Sequence, residues 1–267
     1  MNDTSRSEEI QHHYATPRHL ATRGSFQAKY ATVSWFGWLI GHLNLQIEMD
    51  VLDVGCGPGW IWRSQADRLP NDLRLSLIDA SPGMIEEVSA NLATVEKIEV
   101  VSAKVADAID LPHLDETFDA VLLLHVLYHV EDPRLALREA RRVLRPGGQV
   151  FVSTNALENM RELHSIGAKA FGGRPVDPGA AMFSLDDAEQ FVGELFDDVR
   201  RIDLTDTMTC TDPEDAVMFL LSCPPGISAP EAQQRHLAKL MREQSDSLQG
   251  RLTTTRRNGL IVGTRAQ

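Results

Sequence analysis

The chain has 267 residues, a formal net charge of −12 and three cysteines. That length suits one elaborated domain with a full core, and the acidic balance excludes a broad nucleic-acid surface, which needs clustered Lys and Arg against phosphate. Cys56, Cys210 and Cys223 are too widely spaced for a metal motif or a disulfide framework, so no metal and a reducing, cytoplasmic setting are expected. The N-terminal acids Asp3, Glu8 and Glu9 do not fit a signal peptide. The apolar run from Ala120 to Val130 is too short for a bilayer span, so no membrane association is expected.

Residues 1–45 precede the first core strand. Met1–Ser7 is polar, and Glu8–Tyr14 carries a short helical pattern that Pro17 ends. From Ser25 to Leu45 the residues Phe26, Tyr30, Val33, Trp35, Phe36, Leu39, Ile40 and Leu43 recur at helical spacing and predict a helix packed on the core. Val51-Leu52-Asp53-Val54 is then a short apolar run with β-branched residues, which reads as a buried parallel strand. It runs into Gly55-Cys56-Gly57-Pro58-Gly59, and a helical pattern starts at Trp60. A strand feeding a glycine turn that opens a helix is the first half of a nucleotide-binding crossover. The glycines let backbone N–H groups approach a ligand, and the helix N-terminus favours negative charge there. The dinucleotide fingerprint G-x-G-x-x-G requires a third glycine for close helix–strand packing; this chain has Trp60 in that place.

Leu73–Asp79 is the second strand. It ends in an acid about 20 residues beyond the glycine turn, where a carboxylate can accept hydrogen bonds from both hydroxyls of a ribose. The alternative role, capping the next helix, is already filled by Ser81 with Pro82 behind it. Ile98–Ser102 is the third strand, followed by Ala106-Asp107-Ala108-Ile109-Asp110-Leu111-Pro112. Phe118–His125 is a fourth, fully buried strand, and Asp132-Pro133 supplies the N-cap and first position of an amphipathic helix over Arg134–Leu144. Arg145-Pro146-Gly147-Gly148 ends that helix before a strand over Gln149–Thr154. Asn155–Ala181 predicts an extra helix followed by turns. Ser184-Leu185-Asp186-Asp187 reads as a capping box for a helix to about Phe196, and Asp198–Thr205 as a sixth strand. Asp212-Pro213 starts a helix that Cys223-Pro224-Pro225-Gly226 breaks, Ala232–Leu248 is a long amphipathic helix, and Gly259–Thr264 is a closing strand.

The pattern Asp53-x-Gly55-x-Gly57-x-Gly59, the acid Asp79, the Ala106–Pro112 segment and the Leu144-x-Pro146-Gly147-Gly148 turn occur in the order and spacing of a known family. Together they resemble the class I S-adenosylmethionine-dependent methyltransferases, and most of all the type 11 group that acts on small-molecule metabolites. The resemblance spans residues 46–154 and is limited to element order from 184 to 264. It implies an α/β, Rossmann-like doubly wound sheet of about seven strands with the last strand antiparallel. It further implies a helical lid over residues 1–45 and a core over 46–267 that carries helical cap insertions near 155–181 and 207–251.

For the cofactor, S-adenosyl-L-methionine, the resemblance implies Asp53 near the amino acid end, Gly55, Gly57 and Gly59 along its path, and Asp79 with Ala80 at the ribose. Asp107 would accept from the adenine amino group, Ala108 N–H would bind a ring nitrogen, and His125 would line the pocket; Ala106 stands where the family has glycine. Met84 either covers a face of the adenine or packs in the core. The methyl group would pass to a small-molecule acceptor by direct displacement, with alignment as the protein's main task. His129, beyond the fourth strand, has two roles open to it: a base of near-neutral pKa or a structural histidine bonded to backbone. Tyr14 on the implied lid is the substitute base, and His12, His13, His19 and Tyr30 would lie near the chemistry. Two rival readings stand beside this one. A non-catalytic cofactor-binding protein can share the fold, and an NAD(P)-dependent oxidoreductase would use Asp79 equally well, although Trp60 and the Ala106–Pro112 segment count against it. The acceptor and the oligomeric state are not legible in the sequence.

Overall fold

A computed structural model describes residues 18–267. Seven strands form one sheet: β1 (Asp50–Val54), β2 (Leu73–Asp79), β3 (Ile98–Val105), β4 (Phe118–Leu124), β5 (Leu144–Asn155), β6 (Asp197–Cys210) and β7 (Leu252–Thr264). Their order is β3-β2-β1-β4-β5-β7-β6. Strands β1 to β5 are parallel, and β7 runs antiparallel between β5 and β6. The α/β doubly wound class with a terminal antiparallel strand is therefore what the chain forms. The strand order reverses between β1 and β4, and a ligand crevice opens at the carboxyl ends of the strands at such a reversal.

The apolar runs become central strands because alternate residues are buried on opposite faces. Leu52, Val54, Val121, Leu123 and Val152 pack on one face, against α5 (Pro133–Val143) and α7 (Leu185–Gly193). Val51, Leu75, Ala120, Leu122 and Phe151 face the other side with Leu39, Leu43 and Trp62. That side is covered by α2 (Trp35–Ile40), α3 (Trp60–Ser64) and α4 (Pro82–Leu92). The cap residues read from sequence start their helices. Ser81, Asp132 and Asp212 each accept from a backbone N–H of the first turn, and Ser184 with Asp187 forms a full capping box.

Three expectations are corrected. The helix expected over Ser25–Leu45 is two, α1 (Arg18–Tyr30) and α2. Ser34 starts a fresh N-cap, and Asp206 accepts from Thr32 and Val33 N–H, which takes those donors out of a continuous helix. Arg145–Gly148 is not a turn outside the sheet but the irregular first part of β5, where the pairing with β4 shifts register after Phe118. Strands β6 and β7 are also longer than their apolar patterns, extending as a paired ribbon to Cys210 and from Leu252.

That ribbon carries the cap. Helices α1, α6 (Arg161–Phe171), α8 (Pro213–Leu221) and α9 (Glu231–Ser247) share a separate buried cluster that includes Phe26, Leu163, Phe219, Leu237 and Met241 with Met208 and Leu252 of the ribbon. None of the helices among the described residues is long and apolar enough to cross a membrane.

Candidate active site

The site is built at the carboxyl end of β1. Gly55, Gly57 and Gly59 have φ of +73°, +53° and +69°, values that side chains with a Cβ resist. A Cβ on Gly55 would lie 2.4 Å from Val126 Cγ2, and one on Gly59 2.5 Å from Val88 Cγ2. Packing alone therefore requires those two glycines. A Cβ on Gly57 would meet only Leu20 Cδ2, at 4.0 Å, among the described residues; this is the approachable side of the turn.

Asp79, at the tip of β2, faces the same turn. One carboxylate oxygen accepts from Gly57 N–H at 2.9 Å and the other from Ser81 N–H at 2.9 Å. Each oxygen keeps a second lone pair, which is what a vicinal diol requires. Burial pushes this carboxyl above its usual range, with the two backbone donors pulling the other way. Ala80 follows directly, and Ser81 caps α4 as expected. Met84 is buried in the first turn of that helix.

Asp53 lies inside β1 rather than on the turn. It is 2% exposed, its Oδ2 accepts from the Trp62 indole at 2.7 Å, and its pKa is pushed up to about 7, chiefly by burial and further by Asp79. Asp107 is exposed and forms a turn of its own, accepting from Ile109 N–H at 3.1 Å. Beside it Ala108 is buried, and Ala106 N–H ties the segment to the Asp79 carbonyl.

His125 follows β4 in the left-handed region, φ 55°, with its N–H donating to the Ser153 carbonyl at 2.9 Å. Its ring centroid lies 5.2 Å from that of Trp35. Burial lowers its pKa to about 4; Asp177 opposes this, and Arg23 and Arg256 reinforce it. The imidazole is thus held neutral. His129 closes a short turn after Val126, its ring edge-on to Tyr128 at 4.4 Å. Tyr14, His12 and His13 fall outside the described residues. Tyr30 is committed to the cap, its hydroxyl donating to Asp215 at 2.5 Å. No group of three or more His, Cys, Asp or Glu among the described residues could hold a metal ion.

Two buried networks were not legible in the sequence. Asp206 and Arg256, both 1% exposed at the side chain, form an ion pair at 2.9 Å that also holds the α1–α2 connection. Asp177 gathers Asn155 and Asn159 amide donors and Ala180 N–H near the tip of β5. Asp177-Pro178-Gly179 reads in sequence as a plain turn, and the only signal was Asn155 at the end of a buried strand.

A family model described as a methyltransferase domain matches residues 52–152. This segment is thus similar to a methyltransferase domain. This chain is 38% identical over 128 residues to a malonyl-[acyl-carrier protein] O-methyltransferase of Hahella chejuensis, covering 48% of this chain and 44% of that protein. It is 35% identical over 114 residues to a 27-O-demethylrifamycin SV methyltransferase of Amycolatopsis mediterranei, covering 42% and 40%. The chain thus spans less than half the length of either curated relative. The crystal structure of the YcgJ protein of Bacillus subtilis shares the fold, with a TM-score of 0.59 at 18% identity over 87% of this chain and 98% of that one. So does a geranyl diphosphate C-methyltransferase of Streptomyces coelicolor solved with S-adenosyl-L-homocysteine, with a TM-score of 0.51 at 15% identity over 86% and 78%. The glycine turn, Asp79, Asp107, His125 and His129 all fall within that matched segment, whereas α1 and the Asp177 network lie outside it.

Proposed function

We propose that this chain transfers a methyl group from S-adenosyl-L-methionine to a small-molecule acceptor by direct displacement. The observation that carries the reading is Asp79: a carboxylate with one free lone pair on each oxygen, held against the approachable Gly57 by a 2.9 Å hydrogen bond. Asp79 with Ala80 would hold the ribose, Gly55–Gly59 the amino acid portion, and the Asp107–Ala108 segment the adenine, with buried Met84 behind it. Asp53, buried beneath the turn and accepting from the Trp62 indole, would lie near the amino acid end. The cofactor supplies an electrophilic methyl on a sulfonium, so the chain's own task is alignment and exclusion of water. Neutral His125 lines the transfer point without adding charge, and His129 takes the acceptor's proton where the acceptor has one to lose. Helix α1 lies over the turn, with Leu20 facing Gly57 and Gly24 against the Trp60 ring, which supports the lid reading for residues 18–30. The relatives named for malonyl-[acyl-carrier protein] and for 27-O-demethylrifamycin SV support a metabolite acceptor over nucleic acid. Three free, buried cysteines support a reducing, cytoplasmic setting.

Calorimetry tests the cofactor assignment. S-adenosylhomocysteine should bind and raise the melting temperature, whereas NAD and NADP should do neither. Asp79→Ala should weaken that binding by ~1.5–3 kcal/mol, the range for hydrogen bonds to a charged group. Tight NAD binding with no response to S-adenosylhomocysteine would establish the oxidoreductase instead.

A further inference from the structure

Beyond His125, the ends of β5 and β7 and the 177–180 turn share hydrogen bonds that have a direction. Burial works against the Asp177 charge, but His164 and the surrounding donors hold its carboxyl below the usual range. Asp177 is therefore a carboxylate at neutral pH and can only accept. Asn155 must turn its amide nitrogen to Asp177 Oδ2, at 3.1 Å, which leaves Asn155 Oδ1 as an acceptor. Asn258, the cross-strand partner of Asn155, must then turn its own nitrogen to that oxygen, at 3.1 Å. The relay fixes both amides, which a diffraction map alone does not distinguish. It leaves Asn258 Oδ1 as an acceptor of fixed orientation, buried and without a partner among the described residues.

Two more groups on the same face share that condition. Ser153 is two residues before Asn155, so its side chain points to the same side of the sheet; its Oγ is 1% exposed at the residue level and has no partner among the described residues. Arg256, two residues before Asn258, has an unpartnered Nε while its charge is matched by Asp206. The neighbourhood of the transfer point is shared, because Asp177 and Arg256 both act on the His125 imidazole and a Cβ on Gly179 would lie 3.5 Å from the Tyr128 ring. A buried polar atom without a partner is costly, and native folds rarely keep several together without a use for them. An acceptor-only oxygen with a hydroxyl and a guanidinium N–H on the same face fits a group that both donates and accepts. A neutral hydroxyl serves all three; an ammonium would leave the guanidinium N–H unpaired.

We propose that Asn258 and Ser153 read a neutral hydroxyl on the methyl acceptor, and that Asp177 is a positioning residue that sets Asn258 through Asn155. The proposal rests on the methyltransferase reading and names its substrate class.

The first measurement needs no acceptor. Ser153→Ala removes an unpartnered hydroxyl, so its melting temperature should hold or rise, while a fall shows that Oγ is already satisfied in the free protein and overturns the proposal. The second offers a metabolite extract to the wild-type protein with S-adenosylmethionine carrying a tritiated methyl group, and identifies the labelled product. The acceptor should bear a hydroxyl; one with only amine or carbon nucleophiles overturns the hydroxyl assignment. With that acceptor, Ser153→Ala and Asn258→Leu should each raise KM at least tenfold with kcat within threefold and S-adenosylhomocysteine affinity unchanged. Asp177→Asn should raise KM similarly in the wild-type background but not in Asn258→Leu, whereas a merely structural Asp177 would add its effect in both. Additive effects, or an unchanged KM, overturn the relay. An extract that yields no labelled product leaves the decision to the Ser153→Ala melting temperature. Absence of S-adenosylhomocysteine binding to the wild type removes the methyltransferase reading by a separate readout.

Discussion

At the scale of single residues, the turn sets two carboxyls against each other. Asp53 has its pKa pushed up to about 7, against about 3.9 in an unfolded chain. Between those values the folded protein holds a proton that the unfolded chain has lost, so stability falls as pH rises through that window and stays reduced above it. Asp53→Asn keeps an oxygen for the Trp62 indole and removes the charge. Its unfolding free energy at pH 8 should exceed that of the wild type by a few kcal/mol, since each tenfold change in proton affinity is worth about 1.4 kcal/mol. The gain should vanish below pH 4. Denaturant titrations with the same midpoint difference at both pH values would contradict the assignment. His129 makes a kinetic prediction instead. With a hydroxyl acceptor, His129→Ala should lower turnover by ~10²–10⁴-fold, the usual contribution of a general base, with cofactor affinity unchanged and the loss shrinking as pH rises. A variant fully active at every pH would return His129 to a structural role.

At the scale of elements, what was legible depended on whether the cause was local. Helix starts were legible because Ser81, Asp132, Ser184 and Asp212 satisfy first-turn N–H groups within four residues of themselves. Central strands were legible because burial on both faces leaves an unbroken apolar run. The outer halves of β6 and β7 were not. They alternate threonines with Met208, Arg256 and Asp206, whose burial comes from the cap helices and from each other rather than from the sheet. The glycine turn was legible because its spacing is local, while the Asp177–Asn155–Asn258 relay spans 22 and 103 positions and has no sequence pattern. The break between α1 and α2 has the same long-range origin in Asp206. Asp206→Asn should therefore cost about 3–5 kcal/mol, the usual penalty for stranding a buried charge, here Arg256. Chemical denaturation would measure it, and a loss within 1 kcal/mol, well below that range, would mean that Arg256 finds another counter-charge.

At the scale of the whole molecule, helix α1 joins the two halves of the site. Phe26 packs at 4.9 Å from the Phe219 ring of α8, and Lys29 and Tyr30 both reach Asp215 at the start of that helix, at 2.6 Å and 2.5 Å. These contacts make α1 part of the cap. Its other end lies on the glycine turn, with Leu20 toward Gly57 and a Cβ on Gly24 placed 3.8 Å from the Trp60 ring. The buried side chains of α1 are Phe26 and Tyr30, both toward the cap end, so α1 should open locally at a lower free energy than the sheet does. A ligand seated in the turn would add contacts beneath Leu20 and would bind the closed arrangement better than the open one, which stabilises closure in proportion to its concentration. Hydrogen exchange with and without S-adenosylhomocysteine measures this directly. Amides of residues 18–30 should slow together with those of 55–59 and 79–84, while those of α9, on the far side of the cap, should change little. Protection confined to the turn and the tip of β2 would show that α1 covers the site without responding to it, and the cap would then be a fixed wall rather than a cover that closes on the cofactor.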